Sequence, residues 1–217
     1  MGGLAPAASA AGIKDLWSMD LQILATSDTH GKFDPWDYAA NKADASGSVA
    51  QQATAIKENR TKTTLVVDAG DTIQANSAEL FLNDDVHPMI AAQNAIGYDI
   101  YVTGNHEWAV GGVPALKEIL TANGVTVLSN QFVPLERNGD TIVLAGIDDP
   151  NGYADQTTPE ELAAKLYAQQ EDPFWLLLAH RNNRFARQYS LLGADLVCSG
   201  HAHGGIVRLP GTDGLFS

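Results

Sequence analysis

The chain has 217 residues, 45% of them hydrophobic and 18% charged, with a formal net charge of −13. That composition excludes disorder as the default, and the length suffices for one domain burying about 70% of its unfolded surface. The acidity excludes a groove for duplex nucleic acid, which needs clustered Lys and Arg, but not an anionic small substrate, because bound metal ions invert the local field.

Taken in chain order, residues 1–19 are rich in small residues but lack a basic segment and a solid apolar run. They read as a flexible leader ahead of a folded domain over residues 20–217. The strand LQILAT (21–26) runs into SDTHG, and the loop from Thr29 to Gly47 carries Phe33, Trp36 and Tyr38, which could border a pocket. A helix over Ser48–Asn59 precedes the strand TTLVVDA (63–69) and its exit GDTIQ. A helix over Asp84–Ile96 leads to IYVT (100–103) and GNHEW, where Gly104-Asn105 could make a left-handed turn. Then come a helix over Val113–Asn123, the strand VTVLS (125–129), and FVPLERNGDTIVLAG. The last reads as a hairpin containing the strand 141–147, turning at Asn138-Gly139. A helix over Pro159–Gln169 opens with Glu160-Glu161, helix N-terminal charge rather than acid–base machinery. The strand FWLLLAH (174–180), a helix over Asn183–Leu192, the strand ADLVCS (194–199), SGHAHGG and the strand GIVRL (205–209) complete the series. Short apolar runs alternating with helical patterns give an α/β layered domain.

Cys198 is the only cysteine, so an intrachain disulfide and thiolate-rich metal sites are excluded. A reducing compartment fits, which slightly favours the cytoplasm. No apolar run approaches the ~20 residues of a membrane span. Trp17, Trp36, Trp108 and Trp175 read as core or loop packing, and Arg181 and Arg184 as the start of a solvated helix, with contact to a substrate phosphate as the second reading.

The informative fact is where the metal-binding side chains fall. Asp28 and His30 follow the first strand, Asp71 the second, Asn105 and His106 the third; His180 ends another strand, and His201 and His203 follow the last. Five of the six histidines lie at strand C-termini, where open α/β sheets build their sites; His87 stands apart. Singly, each motif is also turn or cap chemistry. Together they form an ordered set whose imidazole, carboxylate and amide donors suit Mn, Fe, Zn or Ni rather than Ca or Mg. Seven candidates exceed the needs of one catalytic zinc and suit two ions roughly 3.5–4 Å apart sharing a carboxylate.

The blocks D-x-H, G-D, G-N-H-E, H and G-H-x-H, from Asp28 to His203, resemble the calcineurin-like metallophosphoesterase superfamily. The resemblance implies a four-layer α/β/β/α sandwich, although strand alternation alone would equally allow a single open sheet. It implies one ion on Asp28, His30 and His203, a second on Asn105, His180 and His201, and Asp71 bridging both. It also implies that His106 protonates the leaving oxygen or stabilises the phosphoryl charge, Glu107 as a structural partner of its loop, a water activated by divalent or trivalent ions, and a small phosphate-ester substrate. The stretches SDTHGKFDPWDYAA, VVDAGDTIQANSAELF and VHPMIAAQNAIGYDIYVTGNHE resemble bacterial 5′-nucleotidases and 2′,3′-cyclic-nucleotide phosphodiesterases. GVTVLSN, VLAGIDDP, LLLAHR and SGHAHGGIVRLP resemble small stand-alone phosphodiesterases, as in a mosaic of two subfamilies.

Two departures bear on substrate. Ala109 stands where the nucleotidase group often carries an Asp supporting the catalytic His, and the stand-alone relatives continue past R-L-P, so the domain is expected to be truncated at its C-terminus. An extracytoplasmic setting is compatible with the resemblance. The competing reading is a catalytically silent metal-binding or scaffold module of the same fold. A metallo-β-lactamase-like hydrolase is set aside, because no H-x-H-x-D-H run is present.

Overall fold

The computed structural model describes residues 20–81, 84, 86–137, 140–153 and 156–203. The strands are β1 (Gln22–Thr26), β2 (Trp36–Asp37), β3 (Lys42–Ala43), β4 (Thr64–Asp68), β5 (Ile100–Tyr101), β6 (Thr126–Val127), β7 (Gln131–Arg137), β8 (Asp140–Ile147), β9 (Trp175–Arg181) and β10 (Leu196–Gly200). The helices are α1 (Val49–Asn59), α2 (Pro88–Ile96), α3 (Asn105–Val110), α4 (Val113–Ala122) and α5 (Pro159–Gln169). Among the described residues, no helix is long and apolar enough to cross a membrane.

Two four-stranded sheets carry the fold, in the orders β1-β4-β5-β6 and β10-β9-β8-β7. The first is parallel throughout; the second is parallel except for the β7–β8 hairpin. The short β2–β3 ribbon lies within the loop after β1.

The strand period sorts the side chains into layers. Val67, Ile142, Leu144, Leu176 and Leu178 meet between the two sheets with Ile23, Leu65 and Cys198. The intervening positions Val143, Ala145, Trp175 and Leu177 pack outward against Leu162 and Leu166 of α5. On the other side, Val66 packs with Ile56 of α1, and Tyr101 with Ile90 of α2 and Leu116 and Leu120 of α4. The result is the expected α/β/β/α sandwich rather than a single open sheet.

Two expected elements differ. The helix expected from Asp84 begins at Pro88, because Pro favours the first helical position and the His87 side chain accepts from the Met89 amide as N-cap. The helix expected over Asn183–Leu192 is two 3-10 turns, Asn182–Arg184 and Tyr189–Leu191. That segment buries Tyr189 and Leu192 while exposing Phe185 and Leu191, so no continuous apolar stripe holds a full helix. At Gly104-Asn105 the alternative of a left-handed turn is set aside, since this is the N-terminus of α3, with Gly104 extended at φ −99°. The leader, Trp17, the Asn138-Gly139 turn and the strand 205–209 lie outside the described residues.

Candidate metal centre

The site lies where the C-terminal ends of β1, β4 and β5 in one sheet meet those of β9 and β10 in the other. The edge strands β1 and β10 are joined by the His201 amide, which donates to both Asp28 carboxylate oxygens at 3.0 and 2.8 Å. All seven candidate ligands and His106 converge there. Asp28, His30 and His203 form one cluster, Asp71, His180 and His201 another, and His30, Asp71 and His106 lie between them. Asn105 joins the second, its Oδ1 3.1 Å from His180 Nε2, and the Asp71 carboxylate lies 2.9 Å from the same nitrogen.

Five of the seven, Asp28, His30, Asp71, His201 and His203, have left-handed backbone with φ between 47° and 73°. Such conformations cost about 1–3 kcal/mol each in a side chain with a Cβ, and they concentrate at functional sites. Glycines let the chain pass close to the carboxylates. A Cβ on Gly104 would overlap Asp71 Oδ1, and one on Gly200 would overlap Asp28 Oδ2.

Glu107 holds this geometry from beneath. It is buried in the first turn of α3 and accepts from the amides of Gly104, Asp71, Thr72 and Ile73, at 2.8, 2.8, 2.6 and 3.3 Å. One carboxylate thus ties the exit of β4 to the exit of β5. Burial, and then the charge of Asp71, push the Glu107 carboxyl above its usual range.

The protonation pattern suits metal binding. His180 Nδ1 lies 2.8 Å from the Ala69 carbonyl, which can only accept, so Nδ1 carries the proton and Nε2 presents its lone pair to the centre. Burial lowers the imidazoles of His30 and His201, keeping them in the neutral, ligating form. In the ion-free site Asp71 and His180 act as a pair: burial opposes charge on both, but their mutual hydrogen bond and attraction outweigh it, holding the Asp71 carboxyl below and the His180 imidazole above its ordinary value, so a proton on His180 Nε2 would leave as an ion binds. This mixture of neutral imidazoles, carboxylates and one amide oxygen fits a metal pair.

Gln74 and Asp149 were not singled out from the sequence. His106 Nδ1 donates to Gln74 Oε1, so an amide oxygen takes the supporting contact that Ala109 cannot make. Gln74 sits three residues beyond Asp71 in GDTIQ, and only the turn after β4 shows that it faces His106. Arg181, expected at the start of a solvated helix, is instead paired with the buried Asp149 and reaches His201. Trp108 packs edge-on against Tyr153, with its indole N–H on Thr103, and Trp175 is core. Phe33, Trp36 and Tyr38 stand exposed.

A family profile described as calcineurin-like phosphoesterase matches residues 21–205. The chain belongs to this family. It is 38% identical over 103 residues to the trifunctional nucleotide phosphoesterase protein YfkN of Bacillus subtilis (strain 168), covering 42% of this chain and 7% of that protein. It is 32% identical over 158 residues to an uncharacterised metallophosphoesterase of Aquifex aeolicus (strain VF5), covering 70% of this chain and 55% of the relative. The crystal structure of the calcineurin-like phosphoesterase YfkN from Bacillus subtilis aligns with a TM-score of 0.65 at 25% identity, over 85% of this chain and 72% of that one. The chain therefore spans a small part of the first of these curated relatives and about half of the second.

Proposed function

We propose that the chain is a metal-dependent phosphoesterase that binds two ions and hydrolyses small phosphate esters of nucleotide type. One observation carries the reading: Asp71 belongs to clusters on both sides of the centre, with imidazoles from both sheets around it. Asp28, His30 and His203 would hold one ion, Asn105, His180 and His201 the other, and Asp71 would be shared. The ions, drawn from Mn, Fe, Zn or Ni, would supply Lewis-acid polarisation of the phosphoryl group and a water acidic enough to attack near neutral pH.

The residues of the chain do the remainder. Neutral imidazoles and the ionised Asp71 carboxylate set the charge of the centre. His106, its Nδ1 fixed by Gln74, presents Nε2 from a side chain 38% exposed and 3.9 Å from Asp71 Oδ2. From there the doubly protonated ring, its Nδ1 proton kept on Gln74, would deliver the Nε2 proton to the departing oxygen, a contribution typically worth 10²–10⁴-fold. The nucleotide class is supported by the name of YfkN, a nucleotide phosphoesterase.

The test is turnover of bis-p-nitrophenyl phosphate and p-nitrophenyl phosphate by chelator-treated protein, with and without added Mn²⁺. Activity should require metal, and His106→Ala should retain the metal while losing about 10²-fold or more in turnover. No metal-dependent hydrolysis of any ester would overturn the reading. Two bound ions without hydrolysis would make the chain a silent metal-binding module.

A further inference from the structure

Arg181 ends β9, one residue beyond His180. Its Nε and Nη2 donate to the two oxygens of Asp149 at 2.6 and 3.1 Å, a bidentate fork on a carboxylate whose side chain is fully buried. Its Nη1 donates to His201 Nε2 at 3.0 Å, a contact of the ion-free ring, since a neutral imidazole ligating an ion has no second lone pair for it. A guanidinium carries five N–H donors, and these contacts use three. The remaining hydrogens of Nη1 and Nη2 have no acceptor among the described residues, on a side chain that stays 18% exposed. Lys32 is committed to Asp44 and Ser46, and Lys117 to Asp148 and Ser129, so neither reaches the centre. Among the described residues, Arg181 is the one Lys or Arg whose hydrogen bonds reach a candidate metal ligand.

We propose that Arg181 is a substrate contact, its two unused N–H groups receiving non-bridging oxygens of the substrate's phosphate beside the metal pair. The inference rests on the phosphoesterase reading and deepens it. Arg suits the task because its planar fork is already oriented: the buried Asp149 fixes the guanidinium plane, so little freedom is lost when phosphate arrives. A Lys would supply charge without the fork and could not hold Asp149 and phosphate in one plane. The contact also explains why an acidic molecule places a cation at this rim, where it offsets repulsion of an anionic substrate.

The experiment compares metal-loaded wild type with Arg181→Lys and with the double variant Arg181→Ala/Asp149→Asn, which leaves no buried carboxylate unpaired. Metal content is read by elemental analysis, inorganic phosphate binding by titration calorimetry, and KM with p-nitrophenyl phosphate. The expected result is unchanged metal content, with phosphate Kd and KM raised roughly tenfold or more in the double variant and less in Arg181→Lys. Wild-type phosphate affinity in both variants would overturn the proposal. So would a loss of metal that accounts for the lost phosphate affinity, because Arg181 would then only orient His201. If wild type binds phosphate through Arg181 but hydrolyses no ester, the phosphoesterase reading fails and the contact stands. If hydrolysis is intact and phosphate affinity unchanged in the variants, the contact alone fails.

Discussion

His106 is held at two points, its amide on Asp71 Oδ1 at 2.8 Å and its ring on Gln74 Oε1. The first contact fixes where the residue sits, and the second fixes which ring nitrogen carries the proton. Gln74 does the second without bringing a charge. Gln74→Ala should therefore keep the metal content of wild type but lower kcat about tenfold or more, since the ring loses its fixed tautomer. A variant with normal kcat would show that Gln74 is not needed for orientation. The seven candidate ligands were legible in the sequence because each is announced by an apolar run that ends just before it. Gln74 and the Asp149–Arg181 pair were not, because their partners lie 32 residues away in each case. A glutamine in a turn and an arginine after a histidine have no sequence pattern that names such a partner.

At the scale of elements, the site depends on turns pressed closely together. The exits of β4 and β5 share the Glu107 clamp, and Gly104 lies where a Cβ would overlap Asp71. Gly104→Ala should therefore displace the Asp71 carboxylate and lower metal occupancy. The fold should survive, since Gly104 is extended and tolerates alanine conformationally. Elemental analysis beside a circular dichroism spectrum checks this, and full occupancy in the variant would refute the steric account. Element boundaries were most legible where capping chemistry was explicit. Thr158 and Glu161 form a reciprocal capping box at the start of α5, where the sequence had marked a helix at Pro159. Legibility failed over Asn183–Leu192, where polar residues at helical spacing resembled a helix that has too little apolar surface to bury.

For the molecule as a whole, the site is a seam between two sheets, so ions held there would add to the side-chain packing and the hydrogen bonds that already join them. Binding that selects the folded state adds stability in proportion to the logarithm of ligand over dissociation constant, about 2.7 kcal/mol at a hundredfold excess. Adding Mn²⁺ to chelator-treated protein should raise Tm by about 5–10 °C, and Asp71→Asn should abolish most of that shift. An equal shift in the variant would place the ion elsewhere. The pairing of two sheets was the least legible feature of the fold. All residues of β9 from Trp175 to His180 are buried, and a strand covered on both faces reads the same in one open sheet or in two stacked ones.

The first sheet uses strands from Gln22 to Val127 and the second strands from Gln131 to Gly200, with no strand exchanged between them. Each half of the chain thus closes its own backbone ladder, and the stretches resembling different subfamilies part near the same point, between Glu107 and Gly124. Recombination there leaves β6 alone to cross over, pairing with β5 at the edge of the first sheet, and asks the incoming half for that strand, a matching apolar face and its own share of ligands. Ancestry can then change by halves while the chemistry at the seam is kept.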